Sequence, residues 1–65
     1  MRKDYLWYGF RGQNHVTGTA QLTLEEAVSF IQEAAEEGWD AWSLFTSQNG
    51  NPALLVARIN LAAAR

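Results

Sequence analysis

The stretch that decides the fold is residues 23–42, TLEEAVSFIQEAAEEGWDAW. Thr23 and Glu26 have the spacing of a capping box, which predicts that a helix begins there. Gly38 is placed to adopt the left-handed conformation that ends a helix, and a strand should follow. The apolar stripe of this helix is expected to consist of Leu24, Ala27, Val28, Ile31, Ala34 and Ala35, with Phe30 at its edge.

Two alternating runs precede the helix and two follow it. Residues 4–11 and 15–22 predict a hairpin around the turn Gly12-Gln13-Asn14. Residues 40–46 and 53–61 predict a second hairpin, whose turn segment contains an Asn-Gly pair. We therefore expect a single domain, residues 1–65, of the α+β class: a four-stranded antiparallel sheet with one helix on one face, in the order ββαββ.

One face of this sheet should be covered by the helix. From the first hairpin it is expected to hold Leu6, Tyr8, Phe10, Val16, Ala20 and Leu22. From the last strand it is expected to hold Leu55, Ala57, Ile59 and Leu61. For residues 40–46 two alternatives remain, Trp42 with Leu44, which we favour, or Ala41 with Phe45.

The opposite face should stay open and is the main candidate for a binding surface. The partner-binding residues expected there are Tyr5, Trp7, Arg11, Val56 and Arg58, beside His15, Thr17, Thr19, Gln21, Leu54 and Asn60. Three kinds of partner are compatible with this mixture of aromatic, aliphatic and polar side chains: a second copy of the chain, a different protein, or single-stranded nucleic acid stacked on the aromatic rings. Self-association is favoured because 48% hydrophobic residues exceed what one small core needs.

Charge is unevenly distributed along the chain. Six of the seven acidic residues lie between positions 25 and 40, and all five basic residues lie outside that segment. The partner-binding candidates on the acidic side of the helix are Glu33, Glu36, Glu37 and Asp40. This row is either a solvated face or a docking surface for a basic partner. The net charge of −2 argues against nucleic-acid binding driven by bulk charge.

The sequence lacks the residue patterns that catalysis and metal binding need. It has no Cys, and His15 is its only His. The serines lack a glycine elbow and the glycines do not form a phosphate loop. We therefore expect no catalytic, cofactor-binding or metal residues and no enzyme activity. No apolar run has the length of a membrane span, and MRKDYLWYGF is a poor signal peptide, so a cytoplasmic location is expected.

Residues 37–44, EGWDAWSL, and residues 54–58, LLVAR, carry a resemblance to known proteins. Over residues 24–59 the chain resembles a family of small bacterial proteins of unknown function. The pattern of that family is an amphipathic helix ending in Gly-Trp-Glu, a short apolar strand, a turn and a last strand ending near Arg or Lys. The chain departs from it at Asp40 and Trp42. The resemblance implies the fold and a non-enzymatic role, and it supplies no functional residues.

These features together predict a small protein-interaction module that forms a homo-oligomer, with no cofactor. Its size is typical of phage or mobile-element proteins that bind and modulate a host protein. The alternative is a protein that binds single-stranded nucleic acid on the open face of the sheet.

Overall fold

A computed structural model of the chain describes residues 1–60. Its four strands form one antiparallel sheet and its single helix lies on one face, so the α+β class and the ββαββ order are confirmed. Across the sheet the strands are arranged β2-β1-β3-β4, which makes β1 and β3 central. The bounds are β1 Lys3–Arg11, β2 Asn14–Leu22, α1 Leu24–Glu36, β3 Ala41–Gln48 and β4 Asn51–Asn60.

Both ends of the helix have the expected chemistry. The Glu26 N–H donates to the Thr23 hydroxyl at 3.2 Å, and the Thr23 N–H donates to the Glu26 carboxylate at 2.9 Å. This reciprocal pair is the capping box, and it satisfies two backbone donors that the helix itself cannot satisfy. Gly38 has a φ of 78°, the left-handed conformation predicted for the helix end.

The first hairpin has a shorter loop than predicted. Arg11 pairs directly with Asn14, so Gly12 and Gln13 alone form the loop, where a three-residue turn was expected. Gly12 carries a φ of 60°, which suits a two-residue hairpin turn. Residues that oppose one another across a ladder share a face of the sheet. The shorter loop therefore changes which side chains of β1 share a face of the sheet with a given set of side chains of β2.

As a result, the prediction for the faces of β1 is wrong. Tyr5 and Trp7 point to the helix side, where Tyr5 pairs with Ala20 and Trp7 with Gly18. Arg11 is on the same side, since its guanidinium lies over Trp39. The residues expected to be covered, Leu6, Tyr8 and Phe10, lie on the open face. The placement of Val16, Ala20 and Leu22 on the helix side is correct.

The core consists of large rings and small helix residues. Trp42 and Leu44 point inward, which confirms the favoured alternative for β3. In the helix, Ala27 and Ala34 are buried and Phe30 and Ile31 pack against the core. The helix is turned so that Phe30 meets Trp7 and Trp42, which leaves three residues of the predicted stripe exposed: Leu24, Val28 and Ala35. The buried cluster is Tyr5, Ala27, Ala34, Trp39, Trp42 and Leu44.

Strand β4 is irregular, and this changes the side of one predicted core residue. Ile59 and Ala57 oppose Trp42 and Leu44 on the helix side, as expected. The register then shifts, so that Leu55 opposes Phe45 on the open face instead of pointing inward. Leu61, also predicted to face the helix, lies outside the described residues.

Two glycines in the strands make room for two tryptophans. A Cβ atom at Gly9 would lie 2.7 Å from Cε3 and Cζ3 of Trp39, and one at Gly18 would lie 2.6 Å from Nε1 of Trp7. Both distances are below any normal contact, so each indole rests on bare backbone. Glycine inside a strand commonly marks such a close approach.

Candidate functional site

Three cross-strand rows define the face that the helix does not cover. The rows are Leu6 with Thr19, Phe45 and Leu55; Tyr8 with Thr17, Ser43 and Arg58; and Phe10 with His15, Ala41 and Asn60. The apolar and aromatic members on the first three strands, here called the open-face cluster, are Leu6, Tyr8, Phe10, His15 and Phe45.

The rings of the open-face cluster are in mutual contact. His15 stacks on Phe10, with centroids 4.7 Å apart and an interplanar angle of 9°. It also stacks on Tyr8 at 5.9 Å, and Tyr8 meets Phe45 edge-on at 5.8 Å. Phe10 nevertheless remains 44% exposed. The rings on the helix-free face thus run from β2 across β1 to β3, with Phe10 and His15 exposed and Tyr8 and Phe45 half-buried, while Leu6 beside them is only 7% exposed.

Of the five residues expected to bind a partner on the open face, the structure keeps one there unambiguously. Arg58 opposes Ser43 in the Tyr8 row. Val56 lies at the register shift of β4 and is 45% exposed. Tyr5 is buried in the core, and Trp7 and Arg11 are on the helix side. Tyr8, Phe10 and Phe45 were missed, and the correct loop length of the first hairpin would have found the first two.

The acidic residues near the end of the helix do not form one uniform row. The Asp40 carboxylate accepts the Gly12 N–H at 2.6 Å, so it links the connection between α1 and β3 to the first hairpin loop. Glu36 is exposed, and its side chain has no hydrogen bond or ion pair within residues 1–60. Glu33 and Glu37 line a cleft between the helix and the first hairpin. The expected docking row is thus reduced to this pair of carboxylates.

This cleft, hereafter the tryptophan cleft, has a volume of about 280 Å³. Its walls are rings packed edge to face: Trp7 lies 6.0 Å from Trp39 and 6.3 Å from Phe30, and Phe30 lies 5.7 Å from Trp42. Three of the four rings belong to the chain's only tryptophans. The complete lining is Trp7, Val16, Phe30, Glu33, Ala34, Glu37, Trp39 and Trp42.

Arg11 lies next to the tryptophan cleft, against two of its lining residues, without lining it. Its guanidinium carbon lies 4.1 Å from the centroid of the Trp39 ring, and Nη2 donates to the Glu37 carbonyl at 2.9 Å. The cation thus sits at the negative end of the helix, where it offsets Glu36 and Glu37. The Trp39 indole N–H donates to the Glu37 carboxylate at 3.2 Å, which holds that side chain beside the rings.

One carboxyl group at the opposite end of the helix is electrostatically perturbed. The Thr23 backbone N–H and then the Arg2 guanidinium hydrogen-bond to Glu26 and lower its pKa from the ordinary value of 4.5. Both donors stabilise the charged form. This pair belongs to the helix cap and lies away from the tryptophan cleft and the open-face cluster.

Comparison with protein-family models, with curated proteins and with solved structures finds no match for this chain. The resemblance of residues 24–59 to small bacterial proteins therefore stays a prediction. Within residues 1–60 the structure contains no group of three or more His, Cys, Asp or Glu side chains that could hold a metal ion. In the same part of the chain no helix is long and apolar enough to cross a membrane.

Proposed function

We propose that the chain is a non-enzymatic protein-interaction module that self-associates through the open face of its sheet. The observation that carries the proposal is the open-face cluster, in which the rings of Tyr8, Phe10 and Phe45 form a connected surface opposite the helix. An antiparallel sheet that faces water on one side normally places polar residues there. An aromatic surface in that position needs a second layer to cover it.

The surroundings of the open-face cluster have the composition of an interface. An apolar centre is bordered by short polar side chains and one cation, namely Thr17, Thr19, Ser43 and Arg58. The principal extents of the molecule are 37 × 22 × 15 Å, so the broad side of the sheet can supply the roughly 800 Å² per partner that stable complexes use. Two such sheets would pack face to face about 10 Å apart around a two-fold axis.

Analytical ultracentrifugation over a range of concentrations tests this proposal. Phe10→Ser removes an exposed ring from the cluster, and Val28→Ser is the matched control because Val28 is similarly exposed (50% against 44%) but lies on the helix. We expect Phe10→Ser to weaken the homodimer by about 30-fold or more, the size of an interface hot spot. Val28→Ser should leave it unchanged. A dimer that loses affinity only in the control, or in neither variant, contradicts the proposal.

The same surface also suits a different protein as the partner. A phage or mobile-element protein that modulates a host protein would use the surface in this way. A chain that stays monomeric at all concentrations would contradict self-association and favour a different protein as the partner. Capture of a host protein should then depend on Phe10, because it is the exposed phenylalanine of the open-face cluster.

Single-stranded nucleic acid is the second candidate ligand. The observation that favours it is the set of rings on the central strands, of which Phe10 is exposed and Tyr8 and Phe45 are half-buried. The distribution of positive charge opposes nucleic-acid binding. Arg11 is on the helix side, and Arg58 is the one Lys or Arg residue in the three cross-strand rows. Titration with labelled oligonucleotides at two salt concentrations separates the candidates. Binding that weakens steeply with salt supports nucleic acid, whereas no binding at low salt removes it.

A further inference from the structure

We propose that the tryptophan cleft binds a small organic ammonium ion, one whose nitrogen carries alkyl groups. This site lies on the helix side of the sheet and is independent of the self-association proposed for the open face. The cleft combines two features that such a ligand requires, aromatic walls and carboxylates at the mouth.

The aromatic walls are rigid because the fold holds them from behind. Gly18 lets the Trp7 indole lie flat on β2, and Gly9 does the same for Trp39 on β1. Phe30 and Trp42 complete the box through edge-to-face contacts. Trp39 is 7% and Trp42 2% exposed, so the aromatic surface that meets a ligand belongs to the half-buried rings of Trp7 and Phe30, whose quadrupoles attract the charge of an ammonium ion.

The carboxylates give the cleft its preference for a positive charge. The Glu33 side chain has no hydrogen bond or ion pair within residues 1–60, so its charge is free to meet a ligand. Glu37 is held at the rim by the Trp39 indole N–H. Arg11 contributes the opposing charge, which leaves one net negative charge at the cleft. Arg11 already covers the ring of Trp39, so the ammonium ion is expected to lie against Trp7 and Phe30 instead.

The size of the cleft selects a small ligand. At about 280 Å³ it lies just below the roughly 300–1,000 Å³ that is typical of drug-sized ligand sites. A compound of the size of choline fits this space with its ammonium group against the rings. Larger ligands would have to leave most of their surface in water.

Intrinsic fluorescence reads this site selectively, because all three tryptophans of the chain line it. Titration with choline should give a saturable change, and the neutral isostere 3,3-dimethylbutan-1-ol should bind about tenfold more weakly or worse. Glu33→Gln should weaken choline binding several-fold. Glu36→Gln is the matched control, since Glu36 is on the same helix but does not line the cleft, and it should bind choline like the unaltered chain.

Three results would overturn the proposal. They are the absence of a saturable change up to high choline concentration, equal binding of choline and its neutral isostere, and equal loss of affinity in Glu33→Gln and Glu36→Gln. The second result would identify the cleft as a purely apolar site. Circular dichroism of each variant verifies that the fold is retained, so a loss of binding is not mistaken for unfolding.

Discussion

The indole ring of Trp39 lies directly on the backbone of Gly9, where a Cβ atom would come within 2.7 Å of the ring. Trp39 is 7% exposed and belongs to the core cluster, so it has little room to move away. Gly9→Ala should therefore destabilise the fold by about 1–3 kcal/mol, the usual cost of overpacking. Elsewhere in a strand the same change is favourable, because glycine weakens strands.

A double-mutant cycle measured by urea unfolding checks the origin of this cost. In a Trp39→Leu background the smaller side chain leaves space above position 9, so Gly9→Ala should cost much less there. If Gly9→Ala is neutral or stabilising in the unaltered chain, the close approach of Trp39 to Gly9 is refuted.

The sequence predicts the elements well because their signals are local. The capping pair Thr23 and Glu26, the stop at Gly38 and the Asn49-Gly50 turn each depend on a few neighbouring residues, and all three occur in the structure. The Asn49-Gly50 turn has a positive φ at both residues, 55° and 82°, as a tight hairpin turn requires.

The faces of β1 could not be read from alternation, since both sides of this strand are apolar. Tyr5 and Trp7 compete with Leu6, Tyr8 and Phe10, and the loop length alone decides which set accompanies Val16 and Ala20. A loop shorter by a single residue exchanges the faces. Gly9 and Gly18 carry the additional signal, because a glycine within a strand indicates that a large side chain approaches its backbone.

The helix cap should make a measurable contribution to stability. Thr23→Ala removes the hydroxyl that accepts the Glu26 N–H and should cost about 1 kcal/mol. Ser29→Ala is a suitable control, because Ser29 is exposed on the same helix and alanine is the better helix former there. Equal effects of the two substitutions in thermal or urea unfolding would contradict the assigned role of Thr23.

The lowered pKa of Glu26 predicts a specific acid dependence. Because the folded state holds this carboxyl charged through the Thr23 N–H and Arg2, its stabilising contribution is present above the ordinary pKa of 4.5. The contribution disappears as the pH falls below 4.5 and through the lower folded-state value. Glu26→Gln should therefore flatten the decline of stability in this range, measured by urea unfolding between neutral and acidic pH. An unchanged decline would mean that other carboxyl groups control it.

Asp40 should matter for stability, whereas its acidic neighbour Glu36 should not. Asp40→Ala removes the carboxylate that accepts the exposed Gly12 N–H and should cost about 0.5–1.5 kcal/mol. Glu36→Ala removes an exposed side chain and should stay within about 0.5 kcal/mol of the unaltered chain. Urea unfolding of the two variants compares them directly. A similar loss of unfolding free energy in both would show that the Asp40 carboxylate does not stabilise the first hairpin.

The most direct test of the proposed self-association is an isotope-filtered nuclear Overhauser experiment on a mixture of ¹³C-labelled and unlabelled chains. Only contacts between different copies give signals in this measurement. We predict intermolecular signals from three rings of the open-face cluster, those of Tyr8, Phe10 and Phe45, with the strongest from the exposed Phe10. Signals confined to Leu24, Val28 and Leu54 would place the interface at the exposed side of the helix and at β4 instead, and would contradict self-association through the open face.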